Sequence, residues 1–211
     1  MAAKIVAVAQ RKGGAGKTTV VAQLGVAWAL AGRRVTLLDV DPQGSLTAWA
    51  KVRADERHAP APVIAAVQGW RLATEIDRLR AGTDLILIDT PPHAETDARV
   101  AIRAADLILV PLQPSPMDLW ATGATLELIR QEKRRVLLLL NRLPARSNMI
   151  VFSRDAIARE GLPLSAAALG NRTAFAASMA EGAGVAETEP HGPAAEEIAA
   201  LAAEIAGLIA L

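Results

Sequence analysis

The chain has 211 residues, of which 52% are hydrophobic and 21% charged, with 23 Lys and Arg against 22 Asp and Glu and a formal net charge of +1. That balance excludes a disordered chain and leaves room for one domain with a sizeable core, and it does not by itself announce a nucleic-acid partner. Cysteine is absent, which excludes disulfides and cysteine-ligated metal or iron–sulfur sites and suits a cytoplasmic chain.

Met1-Ala2-Ala3-Lys4 leads straight into an apolar run, Ile5 to Ala9, with no signal-peptide pattern. No apolar stretch along the chain is long enough to span a bilayer. Ile5 to Ala9 reads as a buried strand. Gln10-Arg11-Lys12-Gly13-Gly14-Ala15-Gly16-Lys17-Thr18-Thr19 follows it, and then an apolar-periodic segment from Val20 to Leu30 that reads as a helix. Strand, glycine-rich loop and Gly-Lys-Thr opening a helix form the context of a phosphate-binding loop. The glycines let several backbone N–H groups turn towards one anion. The helix N-terminus adds its partial positive charge. In that role Lys17 reaches the β- and γ-phosphates and the Thr18 hydroxyl holds Mg2+. The plain alternative is a glycine-rich turn with a chance lysine.

Ala31-Gly32 marks a helix stop. Val35 to Asp39 reads as a second strand, and Asp39-Val40-Asp41-Pro42-Gln43-Gly44-Ser45 as a polar loop at its end. Thr47 to Val52 reads as a short helix, His58 to Pro62 as a linker and Val63 to Val67 as a short strand. Arg71 to Arg80 carries Leu72, Ile76 and Leu79 at helical spacing. Leu85 to Asp89 is an apolar strand ending in an acid, before Thr90-Pro91-Pro92. A helix is expected from about Glu95 to Ala104 and a strand over Leu107 to Leu112, ended by Gln113-Pro114-Ser115-Pro116. A helix over Met117 to Glu132 precedes a strand over Val136 to Leu140, which ends at Asn141. Ser147 to Glu160, Thr173 to Glu181 and Pro193 to Leu211 read as helices, and Leu162-Pro163-Leu164 as a short edge strand.

Apolar strands alternating with helices predict an α/β fold, a mostly parallel twisted sheet with helices on both faces, in one domain over residues 1–211. In such sheets ligands bind beyond the carboxyl ends of the strands. Every chemically suggestive loop follows a strand: Gly13 to Thr18, Asp39 to Asp41, Asp89 to Pro92, Gln113 to Asp118, and Asn141. A carboxylate at Asp89 suits a Mg2+ water, as a Walker B acid does. Asp39 and Asp41 lie two apart, and an unpaired buried carboxylate is costly, so both need partners. The Asn141 amide has the donor and acceptor that suit adenine, although an Asn in a turn is common.

One departure is informative. Where the general motif has its first glycine, this chain has Arg11, and an extra lysine, Lys12, stands inside the loop. In Lys12-Gly13-Gly14-Ala15-Gly16-Lys17-Thr18 the sequence resembles the deviant Walker A ATPases, the ParA/MinD family. Asp39-Val40-Asp41-Pro42-Gln43-Gly44 is similar to that family's switch I, Thr90-Pro91-Pro92 to its switch II, and Asn141-Arg142 to its strand-end base-reading pair. The resemblance implies a P-loop NTPase that binds ATP or ADP with Mg2+. It implies phosphate contacts from Lys12 through Thr19, metal support from Thr18, Asp39 and Asp89, and base contacts at Asn141 and Arg142. It makes Asp41 the group that orients or deprotonates the attacking water, alongside Lys12 and Lys17. It also implies that Lys12 crosses an ATP-bound homodimer to touch the partner's phosphates.

Charge is distributed unevenly. Eight basic residues against three acidic ones fall between Arg130 and Glu160, whereas Glu181 to Leu211 holds six glutamates and no Lys or Arg. That asymmetry suggests a basic surface. Arg142, Arg146, Arg154, Arg159 and Arg172 are candidates for non-specific DNA contacts, a solvated basic face being the plain reading for each. The resemblance thus points to an ATP-hydrolysing partition or positioning protein, stimulated by a ParB-like or other partner, cytoplasmic and nucleoid-associated, whose cargo is a plasmid, a chromosome region or a protein assembly. No stretch ahead of the first strand offers a separate DNA-reading domain, so sequence-specific autoregulation is not expected. A MinD-like membrane-cycling regulator is the weaker alternative, because the apolar face of the last helix (Ile198, Leu201, Ile205, Leu208) is flanked by glutamates that anionic lipid repels. A metabolic P-loop enzyme and an ATP-gated adaptor with negligible turnover remain further alternatives. The four tryptophans (Trp28, Trp49, Trp70, Trp120) read as core or interface residues. The histidines (His58, His93, His191) are scattered and suggest no metal site, with His93 placed beside the switch II prolines.

Overall fold

A computed structural model describes residues 3–56, 58–92 and 95–211. Six strands form one sheet: β1 (Lys4–Val8), β2 (Val35–Asp39), β3 (Val63–Ala66), β4 (Leu85–Asp89), β5 (Leu107–Leu112) and β6 (Val136–Leu140). Their order is β3-β2-β4-β1-β5-β6, and every neighbouring pair is parallel. The register sets Val8 beside Asp89 and Asp39 beside Asp89. The carboxyl ends of β1, β2 and β4 therefore deliver their loops to one edge of the sheet.

The helices are α1 (Lys17–Leu30), α2 (Ser45–Asp55), α3 (Leu72–Leu79), α4 (Glu95–Ala104), α5 (Pro116–Gln131), α6 (Asn148–Arg159), α7 (Thr173–Ala180), α8 (Val185–Thr188) and α9 (Pro193–Ile209). Both faces of the sheet are covered, and this explains why its strands are apolar runs and not alternating patterns. Val6, Val8, Leu37, Leu85, Leu87, Leu107 and Leu109 face a core shared with α1, α2, α7 and α9. Their alternate neighbours Ile5, Ala7, Leu38, Ile86, Ile88, Ile108 and Val110 pack against α3, α4 and α5. A smaller cluster joins Leu112, Leu138 and Leu140 to Ile157 of α6. Helix α1 is buried nearly all round, as a central helix enclosed by its neighbours must be. Its buried Gln23 is satisfied: its Nε2 donates to Ser178 Oγ (3.0 Å) and its Oε1 accepts from the Val185 N–H (2.7 Å).

The expected elements are present, with four differences. Helix α2 starts at Ser45 and runs to Asp55, longer than Thr47 to Val52. The Asp39 carboxylate accepts from the Thr47 N–H (2.8 Å), satisfying an otherwise orphaned donor of its first turn. The segment Leu162-Pro163-Leu164 makes a single parallel bridge, Leu138 to Leu164, rather than a strand, since Pro163 has no N–H to extend a ladder. The amphipathic stretch after β3 opens with a 3-10 turn at Gly69–Arg71 before α3. The short helix α8 had no periodic signal, being only four residues long. Trp28 and Trp49 are in the core, while Trp70 and Trp120 are exposed.

Arg53 fastens α2 to the C-terminal helices. Its guanidinium is 2% exposed and pairs in a fork with Glu187, at 2.8 Å to each carboxylate oxygen. It also donates to the carbonyls of Gly182 (3.1 Å) and Pro60 (2.9 Å) and lies over the Trp49 ring at 5.5 Å. Removing one member of a buried pair strands the other charge, at a cost of about 3–5 kcal/mol. Glu187→Ala is therefore expected to lower unfolding free energy by about 3 kcal/mol, as read from urea titration. A loss within experimental error of zero would show that Arg53 is resolvated at no cost.

Candidate functional site

The loop after β1 is built to receive an anion. Gly14 and Gly16 have φ of 74° and 89°, values that L side chains rarely adopt. Nothing lies within 4 Å of where side chains on Gly13 and Gly14 would sit, so the loop faces open space. A Cβ on Gly16, by contrast, would fall 2.5 Å from Asn141 Nδ2. Gly16 caps the N-terminus of α1 without any side-chain hydrogen bond, so the orphaned N–H groups of that turn remain for a ligand. Lys17 is 7% exposed, and its Nζ donates to the Gln10 carbonyl at 3.1 Å. Burial lowers its pKa, opposed by the charges of Asp89 and Asp41. A phosphate entering this loop would supply the counter-charge that the desolvated ammonium lacks.

Side chains from α5 hold the loop. Gln10 is 2% exposed. Its Nε2 donates to Thr122 Oγ1 (2.9 Å) and its Oε1 accepts from Thr125 Oγ1 (3.0 Å). The Arg11 N–H donates to Thr125 Oγ1 (3.2 Å), and Lys12 Nζ donates to Asp118 Oδ2 at 2.6 Å. Asp118, Thr122 and Thr125 recur at helical spacing, so one face of α5 braces the loop. Sequence reading placed Asp118 in a suggestive loop but passed over the two threonines. A polar stripe, Asp-x-x-x-Thr-x-x-Thr, on one face of the helix was the signal available.

The acids divide into distinct roles. Asp89 is buried; its Oδ2 accepts from Thr18 Oγ1 (2.6 Å), while its Oδ1 has no partner among the described residues. Burial, with the neighbouring charge of Asp39 adding to it, raises the Asp89 carboxyl to about 7 against the pull of Thr18 and Lys17. An orphaned buried carboxylate oxygen beside a threonine hydroxyl fits a Mg2+ site, completed by water and phosphate oxygens in the manner of that ion. Among the described residues no cluster of three His, Cys, Asp or Glu offers an all-protein metal cage. Asp39, expected among the metal supports, is spent on its own loop. Its Oδ2 accepts from the N–H and hydroxyl of Thr47 (2.8 and 2.7 Å), and its Oδ1 from the Asp41 N–H (3.2 Å). These bonds give Asp39 its part in the loop network, and they leave its expected support of Mg2+ as a proposal. Asp41 is less buried and uses one oxygen for the Gln43 N–H (3.0 Å), and it borders the clefts on both sides of its loop. One of these, ≈ 820 Å3, holds the glycine loop, Lys17, Thr18, Asp41, Asn141 and Arg142. The other, ≈ 1140 Å3, lies on the far side of the Asp41–Gly44 segment towards Trp70.

Asn141 is buried, and its Nδ2 donates to the Ala15 carbonyl (2.8 Å) while its Oδ1 accepts from the Arg142 N–H (2.9 Å). One amide hydrogen and one lone pair remain for a base, but the visible work of Asn141 is to hold the glycine loop. Arg172 also lines the phosphate-loop cleft and is tied to Glu197, with Nη2 at 2.6 Å and Nε at 3.0 Å. Unlike the other candidates for DNA contact, Arg172 is already engaged in an ion pair on its own chain. Arg142, Arg146, Arg154 and Arg159 are exposed and make no ion pair with the described residues. Arg142 takes a left-handed backbone (φ 54°) at the cleft edge. His93 lies outside the described residues. The last helix is docked: Ile198, Leu201, Ile205 and Ile209 are in the core, with Leu208 only partly buried against it.

A parallel sheet with a braced glycine loop at the end of its central strand, and Lys17, Thr18 and Asp89 meeting there, defines a P-loop nucleotide-binding protein of the α/β class. Residues 6–185 match the CobQ/CobB/MinD/ParA nucleotide binding domain, and the chain belongs to that family of ATPases. It is 32% identical over 204 residues to maintenance of carboxysome distribution protein A of Halothiobacillus neapolitanus, covering 91% of each chain. Its fold is similar to that of the septum site-determining protein MinD of Pyrococcus horikoshii in complex with Mg-ADP (TM-score 0.81, 21% identity, 96% of each chain). A McdA–ATP complex from Cyanothece shares the fold as well (TM-score 0.78, 17% identity, 99% of this chain and 97% of that one).

The Asp89 shift has a measurable consequence in metal-free protein. Its carboxyl titrates at about 7 in the fold and at about 3.9 in an unfolded chain. The fold thus favours the protonated form, so this contribution to stability is fully present below about pH 4 and is lost as pH rises through about 7. Asp89→Asn stays neutral throughout. It is expected to flatten the decline of unfolding free energy across that window, in urea titrations with a chelator at stepped pH. An unchanged pH slope would remove the buried, protonated Asp89 from the account.

Proposed function

We propose that the protein is an ATP-hydrolysing positioning protein. It uses ATP and ADP with Mg2+, and its ATP-bound homodimer holds DNA without sequence preference and distributes a large protein assembly over it. The observation that carries this reading is the near full-length similarity to a carboxysome distribution protein, joined to a cleft that holds the glycine loop, Lys17, Thr18 and Asp41. Mg2+, when bound at Thr18 and Asp89, neutralises charge on the phosphate oxygens. The chain does the rest. The glycine loop and Lys17 fix the phosphates, Asn141 keeps the loop in place and leaves one donor and one acceptor for the base, and Asp41 orients or deprotonates the attacking water at the edge of the cleft. Lys12 reaches the partner's phosphates in the dimer. A partner protein speeds turnover and returns the dimer to monomers, and the cycle takes place on the nucleoid.

The last helix, more than the basic surface, favours DNA over lipid. Arg146, Arg154 and Arg159 are exposed on and beside α6, where they suit phosphate contacts. The last helix, which a membrane-cycling protein would use as its anchor, buries most of its apolar face against α1 and the sheet and carries only glutamates as charges. Among the described residues no helix is long and apolar enough to cross a membrane.

Two experiments test this function. Asp41→Ala is expected to retain ATP binding and to lose about 10²–10⁴-fold in turnover, the usual worth of a positioned base, measured by phosphate release alongside a nucleotide-binding titration. Turnover at the wild-type rate removes Asp41 from the reaction. In co-sedimentation with DNA or anionic liposomes under ATP, ADP and no nucleotide, the protein is expected to pellet with DNA only under ATP. Arg146→Glu/Arg154→Glu/Arg159→Glu is expected to abolish that pelleting while turnover without DNA continues. ATP-dependent pelleting with liposomes and not with DNA would overturn the reading.

A further inference from the structure

The side chain of Lys12 is already engaged within its own chain. Its Nζ lies 2.6 Å from Asp118 Oδ2, and the two side chains are 37% and 4% exposed. Asp118 sits in the first turn of α5, where its backbone N–H donates to Ser115 Oγ (3.1 Å) and where a negative charge is favoured. Its carboxylate accepts two further hydrogen bonds, from Ser115 Oγ (2.6 Å) and from the Gln113 N–H (3.4 Å). The Lys12 backbone N–H points to Gln10 Oε1 at 3.5 Å. The base of the residue is thus anchored on the α5 brace, while its exposed ammonium end remains able to swing.

We infer that Asp118 is a latch: it holds Lys12 in cis in the monomer, and the ATP-bound dimer forms only by taking Lys12 from it, so that Asp118 sets how readily the dimer assembles. This rests on the reading that Lys12 crosses to the partner's phosphates. One ammonium cannot sit at 2.6 Å from Asp118 and on another subunit's nucleotide together. Release leaves a buried carboxylate without its cation, which opposes dimerisation. The Ser115 and Gln113 donors stay in place, so the release is reversible and does not unfold the helix start. The two phosphate charges of a partner nucleotide are a stronger attraction for the ammonium than one carboxylate, and only ATP-loaded partners offer the γ-phosphate. Asp118 is accordingly a positioning residue, acting through Lys12.

Asp118→Asn keeps the shape and one acceptor oxygen and removes the charge. In nucleotide-free protein, amine acylation read by mass spectrometry is expected to label Lys12 severalfold faster in Asp118→Asn than in the wild type, with the exposed Lys51 as internal reference. In an Asp41→Ala background with ATP, sedimentation is expected to show dimerisation at about 100-fold lower protein concentration for Asp118→Asn, about tenfold for each of the two charge-assisted hydrogen bonds that the dimer gives up. In a Lys12→Ala background that shift is expected to vanish, which a merely structural role of Asp118 would not produce. Asp118→Glu, which retains the charge, is expected to dimerise as the wild type does. Unchanged labelling, an unchanged dimerisation midpoint, or the same shift without Lys12 would each overturn the latch while leaving the dimer intact. No dimer in any variant under saturating ATP would overturn the dimer reading and the latch with it.

Discussion

A loop that binds an anion through backbone N–H groups gains most when it is held in shape before the anion arrives, because ordering it on binding subtracts from affinity. In this protein the holding is done from two sides. The buried amide of Gln10 is clamped by Thr122 and Thr125 of α5, and the buried amide of Asn141, at the end of β6, grips the Ala15 carbonyl. Both anchors are themselves fixed by the sheet, whose central strand carries the loop and whose two apolar faces are sealed by helices. The close approach of Asn141 also explains why position 16 is a glycine, since any side chain there would drive the amide out.

The same economy governs the charges. Parallel pairing places Asp39 and Asp89 side by side at the strand ends, and two bare carboxylates there would repel each other. One is hydrogen-bonded: Asp39 closes the loop onto Thr47 and starts α2. The other, Asp89, keeps an orphaned oxygen and a raised pKa, a combination that favours a cation over continued burial as it stands. Asp41 stays at the cleft edge with an oxygen to spare. Three acids that look alike in the sequence thus differ in what their oxygens already accept: Asp39 is bonded into its loop, Asp89 keeps a bare buried oxygen and Asp41 stands at the cleft edge.

Coupling between parts of the molecule follows from shared side chains. The segment that carries Asp41 continues into α2, and Arg53 of α2 is locked to Glu187 near the wall formed by α7 and α8. Movement of the Asp41 loop therefore acts on a helix fastened to the C-terminal half. On the opposite side, Lys12 and Arg11 of the glycine loop bear on α5, the helix that continues into the exposed residue Trp120. The loop is thus mechanically joined to two surfaces that a second molecule can touch.

The order of elements and the phosphate loop were legible in the chain itself, because continuous apolar runs ending in Asp39, Asp89 and Asn141 can be satisfied only by a sheet buried on both faces, and because Gly-Lys-Thr after such a run has a definite physical use. Lys12 was legible too, as an extra lysine inside the loop, beside the Arg11 that stands where the general motif has a glycine. What the sequence could not decide was which polar groups find each other. Thr122 and Thr125 lie more than a hundred residues from Gln10, and only packing brings them together. Asp39 and Asp41 differ by two positions and by a turn of the backbone that separates a brace from a cleft residue. Arg172 and its exposed neighbours carry the same charge, and only the fold sets Glu197 against one of them. Local sequence determined where each kind of residue stands along a strand or helix; tertiary structure decided its partner, and for a buried polar group the partner determines its role.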